Sequence, residues 1–244
     1  MVHAGICDHR MWDTQVAHFA KNYQVITFDM YGFGQSGTPD SEFAFHTDII
    51  ALMNHLNVDS ARFMACSLGG AITLDVALMH PERVKGLILS GSAIAGYKYE
   101  GERHPLAAKI NEAEERDDLE AVNELEIQMW VDGKGRKPGD LDPEMRQLVL
   151  DMNLIALKTD DDYWDNEVEI DPPAIERLSE INMPTLLIYG DLDVTASIER
   201  VDILEKEISG AKKVLMPGTA HLPNMERPAE FNQIVDDFLS KLSI

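Results

Sequence analysis

The sequence predicts an α/β fold, a mostly parallel sheet with helices on both faces. Two observations carry this. Short apolar runs of strand length alternate with stretches of helical spacing near both ends of the chain, and each run stops at a turn. Between residues 97 and 180 strand-like runs disappear, acidic residues crowd in, and the apolar spacing becomes helical. The chain therefore divides into a core of residues 1–96 and 181–244, interrupted by a helical cap insertion over 97–180.

The elements follow in order. Met1-Val2-His3-Ala4-Gly5 reads as the last step of an apolar strand entering a glycine turn, and a helical segment follows over 12–19. Tyr23-Gln24-Val25-Ile26-Thr27-Phe28 reads as a buried strand closed by Asp29. Residues 31–39 form a glycine-rich loop; Gly32 and Gly34 lack the lysine and the strand–helix context of a phosphate loop. Ile49, Leu52, Met53 and Leu56 keep helical spacing. A strand ends at Ser67, and a helix runs on through Ile72, Leu74, Ala77 and Leu78 to His80-Pro81. Residues 84–89 form a strand, with small residues over 90–96.

In the insertion, 119–131 and 145–157 are amphipathic helices around a polar break at 133–139, and Asp160-Asp161-Asp162 is a solvated face. The alternation resumes with a strand over 185–189, ending in Gly190-Asp191-Leu192-Asp193. A helix over 197–208 and a strand over 213–216 follow. The loop Thr219-Ala220-His221 then leads to a last helix over 228–239.

Composition narrows the function. The 244 residues fit one large α/β domain, and an apolar share of 45% suffices for a core. The net charge of −22, from 21 basic and 43 acidic side chains, repels nucleic acid and anionic membranes. It also disfavours strongly anionic substrates unless the site supplies cations. No run is long enough to span a bilayer and no leader pattern opens the chain, so a soluble, cytoplasmic protein is expected. Cys7 and Cys66 make no disulfide framework, which suits a reducing compartment. His9, His18, His46, His55, His80 and His104 lack metal-ligand spacing. No metal and no cofactor are expected.

The stretch Ala65-Cys66-Ser67-Leu68-Gly69 carries the first chemical signal. A strand that turns sharply into a helix at a serine needs small residues two positions before and after it, because those positions nearly touch. Ala65 and Gly69 satisfy this around Ser67, although the strict G-x-S-x-G form is not met. Centring the motif on Cys66 would put Met64 and Leu68 at the tight positions, so Cys66 is rejected as the nucleophile. A serine needs a base, and the base an orienting acid. In an open α/β sheet these groups collect at the carboxyl ends of strands. Ser67, Asp193 and His221 each follow a strand, in the order Ser…Asp…His.

These residues resemble those of the α/β-hydrolase superfamily, in the group that includes small carboxylesterases, enol-lactonases, carbon–carbon bond hydrolases and cofactor-free haloperoxidases. The matching stretches are His3-Ala4-Gly5, residues 29–36, the turn at Ser67, His80-Pro81-Glu82-Arg83-Val84, Gly190-Asp191-Leu192-Asp193, and Gly218-Thr219-Ala220-His221. The resemblance implies a sheet of about eight strands, a helical cap and cofactor-free acyl transfer. It implies Ser67 as nucleophile and His221 as general base and acid. Asp193, last in a Gly-x-x-Asp pattern, is implied as the acid, with Asp191 bonding to its own backbone. The oxyanion hole would be the backbone N–H groups of Leu68 and Gly5, with His3 bracing the loop.

A serine at position 67 excludes the family branches that use aspartate there. The expected activity is cleavage of a small, fairly apolar ester or lactone through an acyl-enzyme. Trp130, Val194 and Leu222 are candidate pocket walls, with Met129 and Ile127 beside Trp130 on the cap. Two alternatives stand: a ligand receptor of the same fold with slow turnover, and a truncated, inactive hydrolase. The resemblance places two strands and most of a third ahead of His3-Ala4-Gly5, and the N-terminal strands are read as missing. Their loss would leave backbone groups unpaired beside the strand that ends at Ser67, and loosen Gly5.

Overall fold

The apolar runs build a four-stranded parallel sheet. Strands β1 (Ala61–Cys66), β2 (Val84–Ser90), β3 (Thr185–Gly190) and β4 (Lys212–Met216) lie side by side in that order. The structure, a computed structural model, describes residues 1–160 and 162–242. Asp161, in the middle of the acidic triplet, lies outside the described residues.

Successive residues of each strand face opposite sides, and both sides are apolar. Phe63, Ala65, Leu87, Leu89 and Leu187 enter one core layer, with Ile49 and Met53 of α2 (Phe45–His55), Leu74 of α3 (Leu68–Met79) and Leu204 of α7 (Thr195–Glu207). Met64, Cys66, Ile88, Leu186 and Ile188 enter the other. There they meet Phe19 of α1 (Asp13–Phe19) and Phe231, Val235 and Phe238 of α9 (Pro228–Leu239). Each such large side chain contributes roughly 1.5–3 kcal/mol by leaving water. Helices on both faces and parallel strands are what the sequence predicts.

The register levels the carboxyl ends of the strands. Cys66 pairs with Ser90, Ser90 with Ile188 and Gly190 with Met216, so the loops after all four strands open on one edge. Ligands of open parallel sheets bind at such an edge.

The sheet has fewer strands than the resemblance implies, and 23–28 is not one of them. That segment forms no strand. A strand needs a hydrogen-bonded neighbour. Between 23–28 and β1 lies instead a cavity of about 300 Å³, lined by Met1, Val25, Phe28, Leu52, Met64 and others. The Met1 ammonium donates to the Ile26 carbonyl at 2.6 Å. Val2 makes an isolated parallel bridge to β1, donating to Met64 O at 2.9 Å and accepting from Cys66 N at 3.2 Å.

Between β2 and β3 the described residues hold helices and no strand. The α-helices are α4 (Ala107–Glu114), α5 (Leu119–Ile127) and α6 (Pro143–Leu157), and short 3-10 turns follow them. Side-chain caps set two starts: Asp118 accepts from Ala121 N, and Asp142 accepts from Glu144 N and Met145 N ahead of Pro143. α5 runs on into a π-helical turn, Gln128–Asp132. Ile127, Val131, Val149 and Met152 pack into the second core layer, and Tyr163 and Trp164 close an aromatic group with Tyr31, Phe43 and Phe45. A short helix, α8 (Pro223–Glu226), follows β4 and was not evident in the sequence.

Candidate active site

Ser67 sits at the junction of β1 and α3 with φ 52° and ψ −117°, a backbone conformation that costs a non-glycine residue about 1–3 kcal/mol. The neighbours compel it. Gly69 lies against the incoming loop: its amide donates to His3 O at 3.1 Å, and a Cβ there would sit 2.5 Å from that oxygen and 2.6 Å from Val2 O. Ala65, two residues before the serine, is fully buried. Ser67 N donates to Ser90 O at 3.0 Å, and Ser67 O accepts from Gly70, Ala71 and Ala93. The backbone is thus held on all sides while the side chain stays half-buried.

Leu68 opens α3, so its N–H is one of the helix-start donors with no partner inside the helix. Its side chain covers Gly5, lying 3.5 Å from where a Cβ of Gly5 would be. His3 braces this loop. It is fully buried; Nδ1 donates to Ala4 O at 2.8 Å and Nε2 accepts from Met30 N at 3.0 Å. Burial lowers its pKa, and the Met30 bond requires the neutral ring.

The loops after β3 and β4 bring Asp193 and His221 together. His221 Nδ1 donates to Asp193 Oδ2 at 2.8 Å, with both side chains almost fully buried. Asp193 Oδ1 accepts from Val194 N at 2.7 Å. With its hydrogen on Nδ1, the ring keeps a lone pair on Nε2. His221 lies beside the β1 end: its carbonyl is 3.8 Å from Cys66 Sγ. Gly91, at φ 51°, makes room; a Cβ there would sit 3.0 Å from His221 Nδ1. Asp191 is exposed and accepts from Gly218 N at 2.5 Å, bracing the neighbouring loop rather than its own turn.

Among the pocket candidates, the Trp130 ring stands 4.7 Å from the His221 ring, and its carbonyl accepts from His221 N at 3.2 Å. Val194 is half-buried next to Asp193, whereas Leu222 is fully buried in the second core layer. Burial pushes the Cys66 thiol well up, so it is a poor thiolate source.

Sequence reasoning missed two polar residues here. Ser197, fully buried, has Oγ 3.5 Å from His221 Nδ1 and accepts from Arg200 Nη2 at 2.8 Å. Arg200 Nε also donates to Ser92 O at 3.0 Å, tying α7 to the loop after β2. Neither residue stands in a motif; only the fold brings them to the site.

Among the described residues one group has metal-ligand proximity, Asp8, His9 and Asp29, with ligand atoms within 4.8 Å of one another. Its donors are engaged. Arg10 holds both Asp8 oxygens, and Asp29 accepts from the amides of His9 and Gln35. No helix among the described residues is long and apolar enough to cross a membrane.

The profile of the family described as alpha/beta hydrolase fold matches residues 1–120. The chain is similar to 3-oxoadipate enol-lactonase 2 of Acinetobacter baylyi: 27% identical, covering 96% of this chain and 85% of that protein. It is 26% identical to the pimeloyl-[acyl-carrier protein] methyl ester esterase of Yersinia enterocolitica, over 93% and 87% of the two chains. The fold is shared with the enol-lactonase of Burkholderia xenovorans LB400 at a TM-score of 0.78 and 23% identity, over 98% and 90% of the two chains. Fold, sheet-edge geometry and these likenesses agree: residues 1–120 match the alpha/beta hydrolase family, and the chain has the α/β-hydrolase fold.

Proposed function

We propose that this protein is a serine hydrolase that cleaves a small, fairly apolar ester or lactone through an acyl-enzyme. The observation that carries this is the buried Asp193–His221 contact of 2.8 Å, on the sheet edge where β1 delivers Ser67 at φ 52°.

Asp193 holds the imidazole with its hydrogen on Nδ1, which leaves Nε2 free to act as a base. As Ser67 Oγ bonds to the substrate carbonyl carbon, its proton passes to His221 Nε2, and the carbonyl π electrons move onto oxygen. The N–H groups of Leu68 and Gly5 stabilise that oxyanion; donors of this kind are each worth roughly 10²–10³-fold in rate. The intermediate collapses, the carbon–oxygen bond to the leaving group breaks, and His221 returns the proton to the departing alkoxide. A water then repeats the sequence on the acyl-serine: His221 takes its proton, and Ser67 Oγ leaves with it. With a lactone the leaving hydroxyl stays tethered to the acyl group.

Residues 97–180 serve as the cap over this edge, with Trp130 as a wall of the acyl pocket and Val194 beside the acid. The apolar character of Leu68 and Trp130 supports an apolar acyl group. An enol-lactonase and a methyl ester esterase among the relatives support the ester or lactone class.

Turnover of para-nitrophenyl acetate and butyrate tests this reading. Ser67→Ala should lower kcat by at least ~10³-fold. A variant that keeps its rate would refute the assignment.

A further inference from the structure

The turn that ends α5 is fastened to the two loops that carry Asp193 and His221. Trp130 O accepts from His221 N at 3.2 Å, and Lys134 N donates to Leu192 O at 2.8 Å. Gly133 between them packs so closely that a Cβ would meet Ala220 Cβ at 2.6 Å and Leu192 O at 2.7 Å. Arg136 then closes the connection. Its guanidinium donates to Val131 O at 2.9 Å and to Asp132 O, and its Nη1 meets Glu226 Oε2 at 2.6 Å. The other Glu226 oxygen accepts from Ala220 N, also at 2.6 Å. Ala220 directly precedes His221. The Arg136 and Glu226 side chains are 16% and 4% exposed, so the pair is shielded from water and sensitive to the loss of either partner. From the other side, Arg146 holds both Asp132 oxygens at 2.9 Å.

We propose that Arg136 and Glu226 are positioning residues for His221, and that through them the pocket wall at Trp130 is mechanically coupled to the base. This rests on the serine-hydrolase reading above. None of these residues touches the reacting atoms except through His221. The coupling has a consequence for specificity. An acyl group large enough to push Trp130 aside also moves the carbonyl that holds the His221 amide. Misplacing a catalytic group by 1 Å can cost on the order of 10²-fold in rate. Oversized acyl groups are therefore rejected in the chemical step rather than in binding. A wall with no link to the base would reject them by weakened binding alone.

The experiment is the pre-steady-state release of para-nitrophenolate from acetyl, butyryl and octanoyl esters, which separates the acylation rate constant from substrate dissociation. In the unaltered protein the acylation constant should fall with acyl length while dissociation does not weaken. Trp130→Ala should flatten that fall. Arg136→Met should lower the acylation constant for the acetyl ester roughly 10–10²-fold, with dissociation within about threefold. Arg136→Lys, which keeps a charge against Glu226, should recover most of the loss. A length penalty found wholly in dissociation would overturn the inference, as would an unchanged acylation constant in Arg136→Met or a Lys variant no better than Met. If Arg136→Met does not fold, the Trp130→Ala length series decides alone. Activity surviving in Ser67→Ala would instead overturn the underlying triad.

Discussion

The amide of Gly69 donates to the carbonyl of His3 at 3.1 Å, and this contact ties the turn carrying Ser67 to the loop carrying Gly5. A methyl group at position 69 would press on backbone oxygens 2.5 and 2.6 Å away, which no side-chain rotation can relieve. Gly69→Ala should therefore destabilise the protein by about 1–3 kcal/mol and reduce turnover. Gly37→Ala, where nothing lies within 4 Å, is the control. Equal thermal midpoints for the two variants would contradict the packing argument.

The two aspartates after β3 should behave differently. Asp193→Asn, with its oxygen kept on Val194 N, turns an NH2 donor toward His221 Nδ1 and favours the wrong tautomer, and kcat should fall by on the order of 10⁴-fold. Asp191 accepts from Gly218 N, so Asp191→Asn should cost stability more than rate, less than about tenfold in kcat. Steady-state rates on para-nitrophenyl acetate separate them, and the reverse order would exchange their roles.

Cys66 should be chemically silent. It is fully buried, with its thiol held in the neutral form by burial and by the nearby Asp193 charge. Iodoacetamide should label it only after denaturation, and Cys66→Ala should retain turnover within a few-fold. Rapid alkylation of the native protein with loss of activity would argue for a thiol nucleophile.

Stability should depend on pH through Asp75. Burial raises its pKa from 3.8 to about 7, helped by the charges of Glu167 and Glu169 and opposed by Arg177. Its Oδ1 is buried without a hydrogen-bond partner. The folded state therefore binds the proton more tightly than the unfolded state. This group's contribution is lost as pH rises from about 4 to 7. Asp75→Asn removes that loss. It should raise the thermal midpoint at pH 8, by a free energy on the order of a few kcal/mol, and the gain should shrink as pH falls towards 4. A difference independent of pH would contradict the assignment.

Much of the fold was legible because buried parallel strands announce themselves as short apolar runs, and all four strands of the sheet were read that way. Tyr23-Gln24-Val25-Ile26-Thr27-Phe28 shows the limit of that signal. Its pattern is a strand's, but a strand exists only with a paired neighbour, and here a cavity separates it from β1. The candidate site was legible where local geometry demands residue types, as with Ala65 and Gly69 around Ser67. The contacts of His221 with Trp130, and of Glu226 with Arg136, join positions about 90 residues apart and leave no local pattern. Arg200 and Ser197 escaped for the same reason.

The central claim is that Ser67 Oγ is the nucleophile. The most direct measurement is the mass and peptide map of the protein after reaction with a fluorophosphonate. A single adduct should form on the peptide containing Ser67 and be absent from Ser67→Ala. An adduct that persists in Ser67→Ala, or maps to another residue, would contradict the account.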